Sequence, residues 1–289
     1  HAYGSGPVWS PDGASIAFTS GADNLGPDDT NGKEDVFVTT LATGAVQRVN
    51  TDATGTQANS GSSCGPVWSP DGTRIAFASN ASNLVAGDTN DARDVFVKTL
   101  ATGAIQRINT DNVGTQANKN YSFGPLWSPD GASIAFVSRA DNLVPGDTNN
   151  DYDVFVKTLS TGAIQRVNTD ASGGQANYHM ELGIGLSWSP DGTRIAFSSG
   201  ATNLVPGDTN GVPDVFVKTL ATGAIQRVST DAAGNQADGT DANGVRYSGP
   251  SYHPVWSPDG TRIAFASDAP GLVPGDTNGA LDVFVKTLP

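Results

Sequence analysis

Five seven-residue segments hold the side chains of this chain best suited to chemistry: DTNGKED (residues 29–35), DTNDARD (88–94), DTNNDYD (147–153), DTNGVPD (208–214) and DTNGALD (276–282). Counted from the first residue as zero, positions 0 and 6 are aspartate and position 2 is asparagine in all five. Position 3 is Gly, Asp or Asn, the types that best tolerate a positive φ. Positions 4 and 5 share nothing, so position 4 would contribute only through its backbone. Oxygen side chains at 0, 2 and 6 around a bend, with a carbonyl at 4, are donors suited to a hard cation such as Ca²⁺, which takes about six to eight oxygens. The candidate ligands are Asp29, Asn31, Lys33 and Asp35; Asp88, Asn90, Ala92 and Asp94; Asp147, Asn149, Asp151 and Asp153; Asp208, Asn210, Val212 and Asp214; and Asp276, Asn278, Ala280 and Asp282. One Ca²⁺ per loop would carry +10 in all and move the formal charge from −13 to −3. The competing reading is a metal-free Asx turn, which uses the same residue types. The constant six-residue separation of two carboxylates, in a chain already acidic, favours the metal.

Little else in the chain suggests chemistry. The histidines, His1, His179 and His253, form no metal-binding spacing, and no G-x-S-x-G nucleophile elbow occurs. Cys64 has no histidine near it in sequence and reads as a packed thiol. No catalytic residue is assigned, and the expectation is that the chain is not an enzyme. A net charge of −13 argues against nucleic acid. No stretch approaches the roughly 20 apolar residues of a membrane helix. A single cysteine excludes an internal disulfide and a zinc cluster. Few sulfur residues suit an extracellular or cell-surface protein, with the periplasm as alternative. The start at His1, without initiator Met or signal peptide, reads as a processed or excised product.

The elements that must position the loops repeat. WSPDG occurs intact five times, around Trp9, Trp68, Trp127, Trp188 and Trp256, at steps of 59, 59, 61 and 68 residues. Each copy continues into IAF, then the aspartate loop, then DVFV. In the second copy GPVW (residues 65–68) reads as a strand, SPDG as a tight turn, and TRIAFAS (73–79) as the return strand. DVFVKTL (94–100) is a third strand and AIQRIN (104–109) a fourth. Four meandering strands per repeat, apolar on both faces at VFV, make a propeller blade. The expected class is all-β. The expected architecture is a single five-bladed β-propeller with blades near 1–59, 60–118, 119–179, 180–238 and 239–289. A β-helix would have much shorter repeats. The asparagine of the NL pair (Asn24, Asn83, Asn142, Asn203) reads as a loop cap.

The run WSPDGTRIAF followed by DVFVKTL resembles the PD40-type, WD40-like repeats of TolB-like propellers across essentially the whole chain. The resemblance implies blade architecture and is nearly silent on activity. TolB itself has six blades and a separate domain, and neither is visible. The aspartate loops look like shortened EF-hand-type calcium loops, without the helices or the bidentate glutamate.

A single functional site must break the repeat, and the breaks fall between the fourth strand of one blade and the first of the next. Tyr178 and His179 lead into the fourth blade; Arg246, Tyr247, Tyr252 and His253 lead into the fifth. These are candidate ligand-binding residues for a glycan or small molecule; alternatively they only plug a channel mouth. The functional expectation is a calcium-binding propeller serving as a structural or binding module. A lectin-like or small-ligand binder comes second, and a hydrolase or lyase third.

The fifth repeat lacks a counterpart to AVQRVN (45–50), AIQRIN (104–109), AIQRVN (163–168) and AIQRVS (224–229). Residues 282–288 are therefore expected to form an unpaired apolar edge, a template for strand addition. Three outcomes are open: the edge is tolerated, the strand was lost on excision, or, the favoured one, a neighbouring copy supplies it and gives head-to-tail assembly.

Overall fold

The computed structural model describes residues 6–26, 29–59, 61–118, 121–178, 185–236, 239–240, 246–247, 250–276 and 278–288. Among them every regular element is a strand. The first sheet is β1 (Val8–Trp9), β2 (Ser15–Ser20), β3 (Asp35–Thr40) and β4 (Ala45–Arg48). The second is β5 (Ser63–Trp68), β6 (Arg74–Ser79), β7 (Asp94–Thr99) and β8 (Ile105–Arg107). The third is β9 (Ser122–Trp127), β10 (Ser133–Ser138), β11 (Asp153–Thr158) and β12 (Ile164–Arg166), and the fourth is β13 (Leu186–Trp188), β14 (Arg194–Ser199), β15 (Asp214–Thr219) and β16 (Ile225–Arg227). A two-stranded pair, β17 (Gly239–Thr240) and β18 (Arg246–Tyr247), precedes β19 (Ser251–Trp256), β20 (Arg262–Ser267) and β21 (Asp282–Thr287). Each large sheet is ordered as in sequence, with four strands in the first four and three in the last. Among the described residues count, order and pairing are those of five propeller blades, the last with three strands. No described helix is long and apolar enough to cross a membrane.

The chain divides into two compact units. One comprises His1–Asn150 and Phe155–Gln165; the other comprises Asp151–Val154 and Arg166–Pro289. In each, successive sheets pack face to face. Ala17, Val36, Val38, Ile75, Phe77 and Phe96 form a core between the first and second sheets. Ala196, Val215, Val217, Trp256, Ile263 and Phe265 form one between the fourth and fifth. VFV is apolar throughout because both faces of that strand are covered: Val95, Phe96 and Val97 are all buried. Its phenylalanine pairs across the strand with that of IAF, as in Phe77 and Phe96, whose rings stack at 5.8 Å.

Three polar contacts recur between consecutive sheets. The tryptophan indole donates back to a first-strand carbonyl: Trp68 Nε1 to Val8 O at 3.1 Å, Trp127 to Val67 O and Trp256 to Ser187 O, both at 3.2 Å. The lysine of DVFVKT reaches two carbonyls of the preceding sheet's last loop. Lys98 Nζ donates to Thr51 O and Asp52 O, both at 2.8 Å, and Lys157, Lys218 and Lys286 do the same one repeat further on. Asn83 caps the loop as expected, its amide donating to Gln57 O and its oxygen accepting from Asn59 N. The first sheet carries Thr39 at the lysine position, and its Trp9 is 62% exposed.

The fourth strands are shorter than expected. In the second sheet β8 ends at Arg107, because Asn109 gives Val95 N its side-chain Oδ1 at 3.0 Å in place of a backbone carbonyl.

The WSPDG turn is held by its aspartate. Asp71 accepts from the Ser69 hydroxyl, the Thr73 amide and the Thr73 hydroxyl. These bonds, the serine's foremost, hold the Asp71, Asp191 and Asp259 carboxyls at about 2 and lower those of Asp12 and Asp130. A carboxyl whose folded pKa is depressed adds stability above its unfolded value, and that stability is lost as pH falls through the folded value. Urea denaturation should therefore show stability falling between about pH 4 and pH 2. Replacing Asp71, Asp191 and Asp259 together by Asn should flatten that limb; an unchanged slope would contradict the assignment.

Candidate functional site

The bend of the aspartate loops forms as the residue types require: φ is 61° at Gly32, 51° at Asp91, 57° at Asn150, 70° at Gly211 and 59° at Gly279. The asparagine at position 2 closes an Asx turn. Asn31 Oδ1 accepts from Lys33 N at 2.8 Å, Asn90 Oδ1 from Ala92 N at 3.1 Å, Asn210 Oδ1 from Val212 N at 3.3 Å and Asn278 Oδ1 from Ala280 N at 2.8 Å. Its amide donates to the second carboxylate, as from Asn31 to Asp35 at 3.3 Å and Asn90 to Asp94 at 3.1 Å. In the third loop, which holds Asp147 and Asn149, Asp151 Oδ1 accepts from Tyr152 N at 3.0 Å.

The two carboxylates face a guanidinium from the fourth strand. Arg48 lies 3.3 Å from both Asp29 and Asp35; Arg107 lies 3.5 Å from Asp88 and 3.2 Å from Asp94; Arg227 lies 3.4 Å from both Asp208 and Asp214. Arg166 lies 3.4 Å from Asp153. Register explains the meeting. Arg48, Arg107 and Arg227 sit opposite Phe37, Phe96 and Phe216, two residues into the strand that the second aspartate opens. Two residues after each arginine an amide or hydroxyl secures the same carboxylate: Asn50 to Asp35, Asn109 to Asp94, Asn168 to Asp153 and Ser229 to Asp214. Asn50 also donates to Ser63 Oγ of the next sheet at 3.0 Å. Glutamines of the following loop join: Gln57 donates to Asp29 at 2.9 Å, and Arg107 and Arg227 donate to Gln116 and Gln236.

One guanidinium serves two buried carboxylates, and the acids register the shortfall. Burial first, then the neighbouring Asp94 or Asp214, pushes Asp88 and Asp208 up to about 6 against the opposing arginine. Burial likewise raises Asp94 and Asp214. Among the described residues no group of three or more His, Cys, Asp or Glu side chains converges as a metal site. The sequence reading saw the acids and missed the arginine; QR occurs at one position of all four fourth strands, and that was the signal. The fifth loop differs: Asn278 donates to Asp282 at 3.0 Å, but no described arginine meets Asp276 or Asp282.

Of the candidate ligand residues, Tyr178 is half exposed, its ring so near Gly200 that a Cβ there would lie 3.0 Å from it. His179 lies outside the described residues. Arg246 and Tyr247 form β18 against β17. Tyr252 and His253 open β19, their rings 6.4 Å apart. His253 holds φ at 52° at a β-bulge where the corresponding residues, three before each tryptophan, are Gly65, Gly124 and Gly185, with φ of 65°, 63° and 84°. Aligning SCGPVW, SFGPLW and SYHPVW exposes that exchange. Cys64 is buried and free, and burial raises its thiol pKa, which suits a packed residue.

No protein-family model matches the chain. Over 162 residues, 56% of the chain, it is 29% identical to dipeptidyl-peptidase 5 of Porphyromonas gingivalis and spans 20% of that protein's length. Among solved structures it is similar to a putative TolB from Agrobacterium tumefaciens, at TM-score 0.53 and 17% identity, covering 99% of this chain and 90% of that one. It is also similar to oligogalacturonate lyase from Vibrio parahaemolyticus, at TM-score 0.55 and 15% identity, covering 100% and 66%. These likenesses support the propeller repeat architecture. The expectation that the chain is not an enzyme is corrected: its curated relative is a peptidase, and a structural neighbour is a lyase. Repeats with no visible catalytic motif had left that connection unreadable.

Removing one partner of a buried ion pair strands the other, so Arg107→Ala should cost about 3–5 kcal/mol in urea unfolding at pH 8. Asp88→Asn should be neutral or stabilising there. A raised carboxyl pKa means stability present below the unfolded value and lost as pH rises through about 6. Destabilisation by Asp88→Asn comparable to that by Arg107→Ala would contradict the arrangement.

Proposed function

We propose that this chain is the blade-forming part of a propeller-containing hydrolase acting on peptides, and that its fourth and fifth sheets present the residues that meet the substrate. The match to dipeptidyl-peptidase 5 supports the class. The observation that carries the siting is His253. A histidine in the left-handed region costs about 1–2 kcal/mol relative to an ordinary conformation, and such strain concentrates at functional positions. His253 is exposed, stands beside Tyr252, and replaces a glycine at the place where one binding residue would break the repeat. It is the one histidine among the described residues. The proposal assigns it, with Tyr252 and Tyr178, the binding and orientation of substrate. A location outside the cytoplasm belongs to the same proposal, supported by the sulfur-poor composition.

Titration of the labelled chain with tripeptides and, separately, with oligogalacturonate tests the class through the His253 imidazole resonances. Peptides should shift them, and His253→Gly should weaken peptide binding measured by calorimetry at least about tenfold while raising stability by about 1 kcal/mol through relief of strain. Response to oligogalacturonate alone would move the reading to a lyase. Response to neither would overturn it.

For the aspartate loops, calcium is the reading that competes with the arginine pairing, and donor type and spacing support it. The arginines give those carboxylates a cation without it, so excess EGTA should leave the melting temperature unchanged; a clear fall would return the loops to calcium.

A further inference from the structure

We propose that the cleft between the WSPDG turn of the first sheet and the indole of Trp68 is a binding site for an arginine side chain presented by a partner peptide. The residue that opens the second strand of each sheet decides whether such a cleft is filled. It is Arg74, Arg194 and Arg262 in the second, fourth and fifth sheets, and Ser15 and Ser133 in the first and third. Two of these guanidinium groups cross to the next sheet in the same way. Arg74 lies 4.5 Å from the centre of the Trp127 ring and donates to Gly131 O at 3.0 Å. Arg194 lies 4.5 Å from the centre of the Trp256 ring and donates to Gly260 O at 3.1 Å. The aspartate of the arginine's own turn stands beside it, with Asp71 Oδ2 at 3.7 Å from Arg74. Trp127 and Trp256 are both buried.

Between the first and second sheets, within one compact unit, every part of this arrangement is present except the cation. Trp68 donates to the preceding first strand as Trp127 and Trp256 do, yet it is only half-buried. A Cβ at Gly131 would lie 3.5 Å from Pro70 Cδ and 3.3 Å from Arg74 Nη2; one at Gly72 would meet only Pro11 Cδ, at 3.6 Å. Ser15 is too short to cross, and among the described residues nothing donates to Gly72 O. Asp12 takes the Ser10 hydroxyl and the Ala14 amide on one oxygen, which leaves the other for a cation. Those bonds, the serine's foremost, lower its pKa and keep it ionised. Charge and shape name the occupant. An indole face, a carbonyl and a carboxylate attract a cation, and a planar guanidinium can stack and donate at once. Pro11 and Trp68 also border an open groove of about 350 Å³, with Val8, Val67, Pro70 and Trp127. A peptide with an apolar residue next to its arginine covers both cleft and groove, whereas a small guanidine fills only the cleft.

The test follows the indole N–H resonances of the 289-residue chain while acetyl-Leu-Arg-Leu-amide is added. The Trp68 resonance should shift saturably; that of Trp256, already under Arg194, should not. Replacing the peptide's arginine by citrulline, which keeps the shape and loses the charge, should weaken binding at least about fivefold. Ser15→Arg should fill the cleft from within, as arginine does in the second and fourth sheets. It should abolish the Trp68 response and raise the melting temperature by about 2–4 °C. A Trp68 resonance that does not move, equal affinity for the citrulline peptide, or a response that survives Ser15→Arg would overturn the proposal. So would butylguanidinium binding as tightly as the peptide, which would assign the site to a small guanidine.

Discussion

A buried guanidinium between two buried carboxylates is the constraint on which the first, second and fourth sheets depend. It ties three separate pieces together: the start of the aspartate loop, the first residue of the third strand, and the fourth strand. The acids cannot stay ionised in that burial without it, and the arginine would be equally costly alone. Because Arg107 sits opposite Phe96, the ion pair also sets register. A slip of one residue would turn the arginine to the other face and strand all three charges. The asparagine two residues on then carries the restraint across to a serine of the following sheet, as from Asn50 to Ser63.

Consecutive sheets are joined by the same logic of side chains answering backbone. Lysine ammonium groups and indole N–H groups satisfy carbonyls that loops and first strands leave unpaired, and burial lowers the lysine pKa without removing the need for those acceptors. The first sheet departs from the rule with Thr39 and an exposed Trp9, and the fifth with a bare edge.

Much of this was legible in the residues. Spacing of WSPDG and DVFV gave the strands, their order and the absent fourth strand, because period-two apolar patterning and turn chemistry are local. The positive-φ bend was legible for the same reason. What sequence could not show was which cation the aspartates face. Arg48 lies thirteen residues beyond Asp35 in sequence and meets it only through strand register. Spacing within the loop pointed to calcium because the arginine that meets both acids lies outside it, on the fourth strand. His253 was singled out as a loop residue for its chemistry; its backbone strain emerges only beside the glycines it replaces.

The central claim is that arginine is the cation of the paired aspartate loops. A high-resolution crystal structure grown in millimolar calcium tests it most directly. The account predicts the guanidinium groups of Arg48, Arg107 and Arg227 between their aspartates, with no ion density there. A spherical anomalous peak about 2.3–2.6 Å from both carboxylates, with the arginine displaced, would contradict it.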